Sequence, residues 1–185
     1  RDVAPSRGLG DVYKRQGGNL ILTCRTAQKD RYGRLPEAPF GSMITPLTGN
    51  EMNFYDLLLP EDPGTVVMNG KEYAWNTWGE ILNPPADAQI WATYKNEFYE
   101  GSPAVTFRKL GKGTITYVGV DSHNGALEKD ILKKLYAQLN IPVMDLPYGV
   151  TMEYRNGLGI VLNYSDQPYA CLLYTSPSPR DGATS

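Results

Sequence analysis

Cys24 and His123 are the two side chains that could form a nucleophile and its base. A nucleophile elbow wants glycines around the nucleophile on a sharp turn. Cys24 instead sits in Leu22-Thr23-Cys24-Arg25-Thr26, with no glycine, and reads as a small apolar residue in a buried strand. His123 lies in Asp121-Ser122-His123-Asn124-Gly125. That is a strand-to-helix turn, the place where ligands bind in open sheets, yet a single histidine there reads first as a cap or a contact. Glycoside hydrolysis needs two carboxylates flanking one bond. Glu97 and Glu100 lie in the aromatic stretch Trp91–Tyr99, but nothing in the sequence distinguishes them from other acidic pairs. Gly111-Lys112-Gly113 lacks the spacing of a phosphate-binding loop and has no helix after it, so its glycines read as turn residues. Trp75, Trp78 and Trp91 suit a core or an interface better than a cofactor platform.

Composition narrows the choice further. The chain has 185 residues, 41% hydrophobic and 21% charged, with two cysteines and one histidine. Those counts leave no room for a His/Cys metal cluster or a disulfide framework, and neither metal nor cofactor is expected. A net charge of −2 argues against nucleic acid as a partner. No apolar run is long enough to span a bilayer, so no membrane partner is expected either.

The two ends read differently from the rest. Ser6–Gln16 (SRGLGDVYKRQ) and Cys171–Asp181 (CLLYTSPSPRD) decode to one oligonucleotide read on opposite strands, a transposase adapter of the kind used in sequencing libraries. Residues 1–16 and 171–185 are therefore expected to be adapter-derived rather than native, and are set aside. Between them lie 13 basic and 17 acidic residues, net −4, and one cysteine, Cys24. The remainder, Gly17–Ala170, is expected to be a piece of a longer protein.

Several elements must position any site. Asn19–Thr26 is a short apolar run suited to a buried strand of a parallel sheet. Gln28–Ser42 is polar, rich in glycine and proline, and reads as a loop. Glu51–Leu59 reads as a strand running into a loop at Pro60. Thr65–Met68 and Lys71–Trp75 flank Asn69-Gly70, the strongest short hairpin signal. Trp78–Leu82 and Gln89–Thr93 are further strands. Phe98–Ser102 is a connection, and Ala104–Leu110 and Thr114–Val120 form a second hairpin. Asp121–Gly125 reads as a loop and helix cap.

The spacing of Leu127, Ile131, Leu132, Leu135, Tyr136 and Leu139 predicts one helix over Ala126–Leu139. Beyond Pro147, Val150, Met152 and Tyr154 alternate with polar residues, as do Ile160, Leu162 and Tyr164 across Asn156-Gly157. This predicts a two-strand meander with one solvated face. The expected architecture is α/β layering over 17–142, then an all-β segment over 143–170.

The segments GGNLILTCRTAQKDRYGRLPEAPF, NFYDLLLP, EYAWNTWGEIL, VTFRKLGKGTITYVGVDS and GALEKDILKKLY together resemble the middle domain of glycoside hydrolase family 42 β-galactosidases. PVMDLPYGVTMEYRNGLGIVLNYSDQP resembles the start of that family's small C-terminal β domain. The resemblance implies a Rossmann-like, class I glutamine amidotransferase-like α/β trimerisation domain, followed by the first strands of an antiparallel β domain. It also implies a retaining β-galactosidase acting on terminal β-D-galactosides, with two catalytic glutamates. Both belong to a barrel that would precede Gly17, so no residue here is assigned a catalytic role. The role left is assembly into a homotrimer. Trp75, Trp78, Trp91, Tyr94, Phe98 and Tyr99 are the candidates for that interface, because aromatic residues are enriched at interfaces. The resemblance implies a bacterial cytoplasmic enzyme. The competing expectation is a free-standing amidotransferase-like enzyme or carbohydrate-binding module.

Overall fold

Turn chemistry makes the skeleton of the sheet. In the computed structural model Asn69 and Gly70 have φ of 52° and 79°. Those positive angles match the right-handed twist of flanking strands, and they join β3 (Gly64–Met68) to β4 (Lys71–Asn83), with Met68 opposite Lys71. Gly111, φ 64°, and Lys112 likewise join β6 (Pro103–Leu110) to β7 (Gly113–Val118). The structure describes residues 17–30, 32–35, 37 and 40–170; the adapter-derived ends expected from the sequence lie outside them. The described residues fall into two compact units that divide between Leu135 and Tyr136.

The first unit is mostly sheet. β1 (Asn19–Thr23) runs parallel to β7; β2 (Glu51–Asp56), β3, β4, β5 (Gln89–Lys95), β6 and β7 otherwise pair antiparallel. A doubly wound sheet would be mainly parallel. Here one parallel pair stands at one end of the order β1-β7-β6-β5-β3-β4-β2. β8 (Val120–Ser122) runs on from β7 and pairs back onto β4. Glu80 donates its amide to the Gly119 carbonyl at 2.7 Å, and Gly119 donates to the Ala104 carbonyl at 2.8 Å. The strands β3, β4, β8/β7, β6 and β5 therefore form a closed ring of hydrogen-bonded neighbours. Strand β4 reaches both parts of this arrangement because it is 13 residues long, whereas the sequence reading divided it in two at Asn76-Thr77.

The ring encloses aromatic residues. Trp75, Tyr94, Val66, Val105, Val118 and Val120 are buried there, and Leu127, Ile131 and Leu135 of a 13-residue helix join the same cluster. That helix, α2 (Ala126–Gln138), starts where expected. Ser122 Oγ accepts the Leu127 amide at 3.0 Å, while the Glu128 carboxylate accepts the Ser122 amide at 3.2 Å, a reciprocal cap. Of the expected apolar stripe, Leu127, Ile131 and Leu135 are buried, while Leu132 is exposed. A smaller cluster of Ile44, Leu82 and Tyr117 lies on the opposite face, beside a short helix, α1 (Thr45–Thr48), that the sequence reading did not anticipate.

The second unit contains the hairpin of β9 (Val150–Arg155) and β10 (Leu158–Asn163) around Asn156-Gly157. One solvated face was expected. The register pairs Arg155 with Leu158 and Met152 with Val161, so cross-strand partners have opposite parity. Met152 and Tyr154 therefore face one way, and Ile160 and Leu162 the other. The hairpin carries apolar residues on both faces.

Candidate functional site

Four of the six aromatic interface candidates are occupied in this chain's own packing. Trp75 is 0% exposed and Tyr94 1%, with their rings edge-on at 5.5 Å. Trp91 is buried, stacked on Phe107 at 4.6 Å and covered by the Lys134 ammonium at 4.0 Å. Tyr99 is buried and donates to Asp56 Oδ2 at 2.8 Å. Odd positions on β4 face the ring interior, which is why Trp75 is core. Aromatic type alone does not separate a core from an interface. Trp78, an even position on β4, is half-buried on the other face, and Phe98 is 85% exposed in the turn after β5.

The edge strand β2 joins what remains. Phe54 stacks on Phe98 at 5.6 Å and 9°, and meets Tyr99 edge-on. The next residue, Tyr55, points to the opposite face and stacks on Trp78 at 4.3 Å and 11°, with Phe40 5.3 Å from Tyr55. The Arg25 guanidinium lies over the Trp78 ring at 5.0 Å. Phe54, Tyr55, Leu57 and Leu59 are exposed. An aromatic rim thus borders β2 on both faces. Strand alternation could have pointed to Phe54 and Tyr55; the pairing of β2 with β4 could not be read from the sequence.

Behind Trp78 lies a fully buried carboxylate, Glu80. Its Oε1 accepts from the Arg25 amide at 2.8 Å and the Trp78 indole N–H at 3.0 Å; its Oε2 accepts from the Tyr117 hydroxyl at 2.6 Å. Burial raises its carboxyl above the ordinary range, and the three donors oppose that shift. The folded chain holds this proton more tightly than the unfolded one, so the contribution is greatest below the unfolded carboxylate value and is lost as pH rises through the folded one. Glu80→Gln keeps the acceptor and carries no charge to desolvate. It should melt at or above the wild-type temperature at pH 7, with a flatter stability profile between mild acid and neutrality; thermal melts across that range check it.

The nucleophile reading fails here. Cys24 is half-buried, and desolvation, with Glu80, Asp121 and Glu128 adding to it, raises its thiol from 9.0 to about 12. At pH 8 the thiolate fraction is about a thousandfold below that of an ordinary thiol. In a Cys171→Ser background, Cys24 should alkylate with iodoacetamide far more slowly than glutathione. His123 is exposed, and its Nε2 meets Asn76 Oδ1 at 3.0 Å. Glu97 and Glu100 build the turn between β5 and β6: Glu100 Oε2 accepts the Asn96 amide at 3.3 Å, and the Glu97 carbonyl accepts the Glu100 amide at 2.9 Å. Among the described residues no group of three or more His, Cys, Asp or Glu could hold a metal, and no helix is long and apolar enough to cross a membrane.

The described residues form a mixed α/β fold dominated by one sheet and bordered along β2 by an aromatic rim. The family model described as the β-galactosidase trimerisation domain matches residues 11–147, and the chain belongs to that family, the non-catalytic part of family 42 β-galactosidases. It is 33% identical to the β-galactosidase LacA of Lactobacillus acidophilus over 107 residues, 58% of this chain and 16% of that protein. It is 28% identical to the β-galactosidase BgaH of Haloferax lucentense over 159 residues, 84% of this chain and 23% of that one. The β-galactosidase structure from the Antarctic haloarchaeon Halorubrum lacusprofundi superposes with a TM-score of 0.74 at 28% identity, covering 85% of this chain and 24% of that one. The chain thus spans less than a quarter of these relatives. A free-standing amidotransferase-like enzyme or carbohydrate-binding module is not favoured.

Proposed function

We propose that this chain is the assembly segment of a larger retaining β-galactosidase that acts on terminal β-D-galactosides as a homotrimer, with its copies meeting at the aromatic rim along β2. Catalysis belongs to residues outside this segment, and the segment alone is inactive. The observation that carries the interface is Phe98, 85% exposed yet stacked on Phe54. An exposed, stacked aromatic pair is the kind of surface a partner buries. Trp78, with Tyr55 and Phe40, is the corresponding element on the other face. The amidotransferase-like label for the sheet rests on the one parallel pair, β1–β7, in a sheet whose other pairs are antiparallel. Residues 143–170 begin the C-terminal β domain, and the parent enzyme works in the cytoplasm.

Light scattering of the 185-residue chain across a concentration range tests the interface. The expected result is a concentration-dependent trimer that Phe98→Ala shifts towards monomer. Because Phe98 is exposed in the monomer, that substitution should move the melting temperature by no more than an ordinary surface change, within about 0.5 kcal/mol. A Phe98→Ala chain that associates like wild type sinks the proposed surface.

A further inference from the structure

Resting on that reading, we infer that Glu80 is a positioning residue, holding the Arg25–Trp78 corner in the shape that a second copy of this chain meets. The corner is assembled from separate elements and has one common anchor. Arg25, directly after the Cys24 that follows β1, has φ of 64°, the left-handed region that side chains rarely adopt without compensation. Its amide is held by Glu80 Oε1, and the same oxygen holds the indole N–H of Trp78. Oε2 is taken by Tyr117 from β7. The Arg25 side chain covers Trp78, and its Nε donates to Gln28 Oε1 at 3.3 Å. Trp78 in turn supports Tyr55 on β2. Tyr94 of β5 reaches the same residue from the far side, donating its hydroxyl to the Glu80 carbonyl at 3.0 Å.

A buried carboxylate used only for stability would be a poor choice, since a well-packed apolar residue is often as good or better. What an apolar residue cannot do is fix one backbone amide and one indole ring to the same point. The need is for an acceptor at Oε1, not for charge. Glu80→Gln therefore preserves the corner, and Glu80→Leu, of similar bulk, leaves three donors without their partner.

The test combines local and assembly readouts on the 185-residue chain. Hydrogen exchange at the Arg25 amide and the Trp78 indole should be slow in wild type and in Glu80→Gln; fast exchange at either site in either protein overturns the anchor without any disruptive variant. In Glu80→Leu chains that remain folded, exchange at both sites should accelerate, Cys24 alkylation in the Cys171→Ser background should rise, and self-association should weaken about tenfold, the effect of losing one well-packed interface residue. Unchanged exchange in folded Glu80→Leu refutes the positioning role. Trp78→Ala separates the two claims. If it leaves the association unchanged while Glu80→Leu still frees both donors, the surface is wrong and the anchor stands. If Trp78→Ala weakens association and folded Glu80→Leu does not, the anchor does not serve assembly.

Discussion

Trp75→Ala is expected to lose about 3–5 kcal/mol of stability, the range for truncating a fully buried aromatic residue. At about 2–4 °C per kcal/mol for a chain of this size, the melting temperature falls by roughly ten degrees. The ring is 0% exposed and central to the main cluster. Two glycines mark how closely its surroundings fit. A Cβ at Gly79 would lie 2.7 Å from the ring, and one at Gly64 would lie 2.7 Å from its Nε1. The backbone has thus closed around the indole, and alanine would leave a cavity that these walls cannot fill. One term opposes the loss. Among the described residues the buried indole N–H meets no acceptor, so truncation also removes an unpaired donor. Trp75→Phe isolates that term: it keeps most of the ring and discards the donor, and should cost less than half as much. Circular-dichroism melts of both variants beside Phe98→Ala separate core from rim. If Trp75→Ala melts like wild type, the closed core described above is wrong.

The second large effect is at Gly119, where the ring closes. A Cβ there would stand 3.1 Å from the Ala104 carbonyl oxygen and 3.1 Å from that of Glu80. Both neighbours are backbone, so neither can turn aside as a side chain would. Gly119 also joins both strands, accepting from the Glu80 amide and donating to the Ala104 carbonyl. Gly119→Ala should cost about 1–3 kcal/mol through overpacking, and Gly119→Val more, since its branches meet the same two carbonyls. The specific signature is local: the Glu80 amide, protected by the Gly119 carbonyl, should exchange faster in Gly119→Ala. Gly70→Ala is the matched comparison. Its φ is +79° with nothing within 4 Å of the added Cβ, so it carries backbone strain alone and leaves the Glu80 amide protected.

How much of this was legible in the sequence differs by element. The hairpins at Asn69-Gly70 and Asn156-Gly157 were readable because two residues with positive φ leave a local signature that needs no partner. Helix α2 was readable because its apolar period and a capping loop at Asp121–Gly125 are both written within a few residues, whereas the partner of Ser122, Glu128, came from the structure. The family was readable because several segments resemble it in order along the chain.

Trp75 is buried in this chain's own core while Trp78 is half-buried on the other face, for a definite reason. Trp75 and Trp78 are three apart on one strand and so point to opposite faces, but which face is interior depends on what pairs with β4. The hairpin over Val150–Asn163 shows the same limit. Both apolar rows sit at even positions, and only the register that sets Arg155 against Leu158 puts them on opposite faces.

The sequence by itself therefore determined the turns, the helix with its cap, the absence of a glycine-flanked nucleophile, and membership of a family that assembles. These are local or cumulative properties of neighbouring residues. Only the tertiary structure decided that β8 returns to β4 to close a ring, that Glu80 gathers donors from 55 and 37 residues away, and that Phe98 is left in solvent while Tyr99 beside it is buried. Each of those depends on strand pairing between distant segments, where the energy lies in contacts that no stretch of sequence contains on its own.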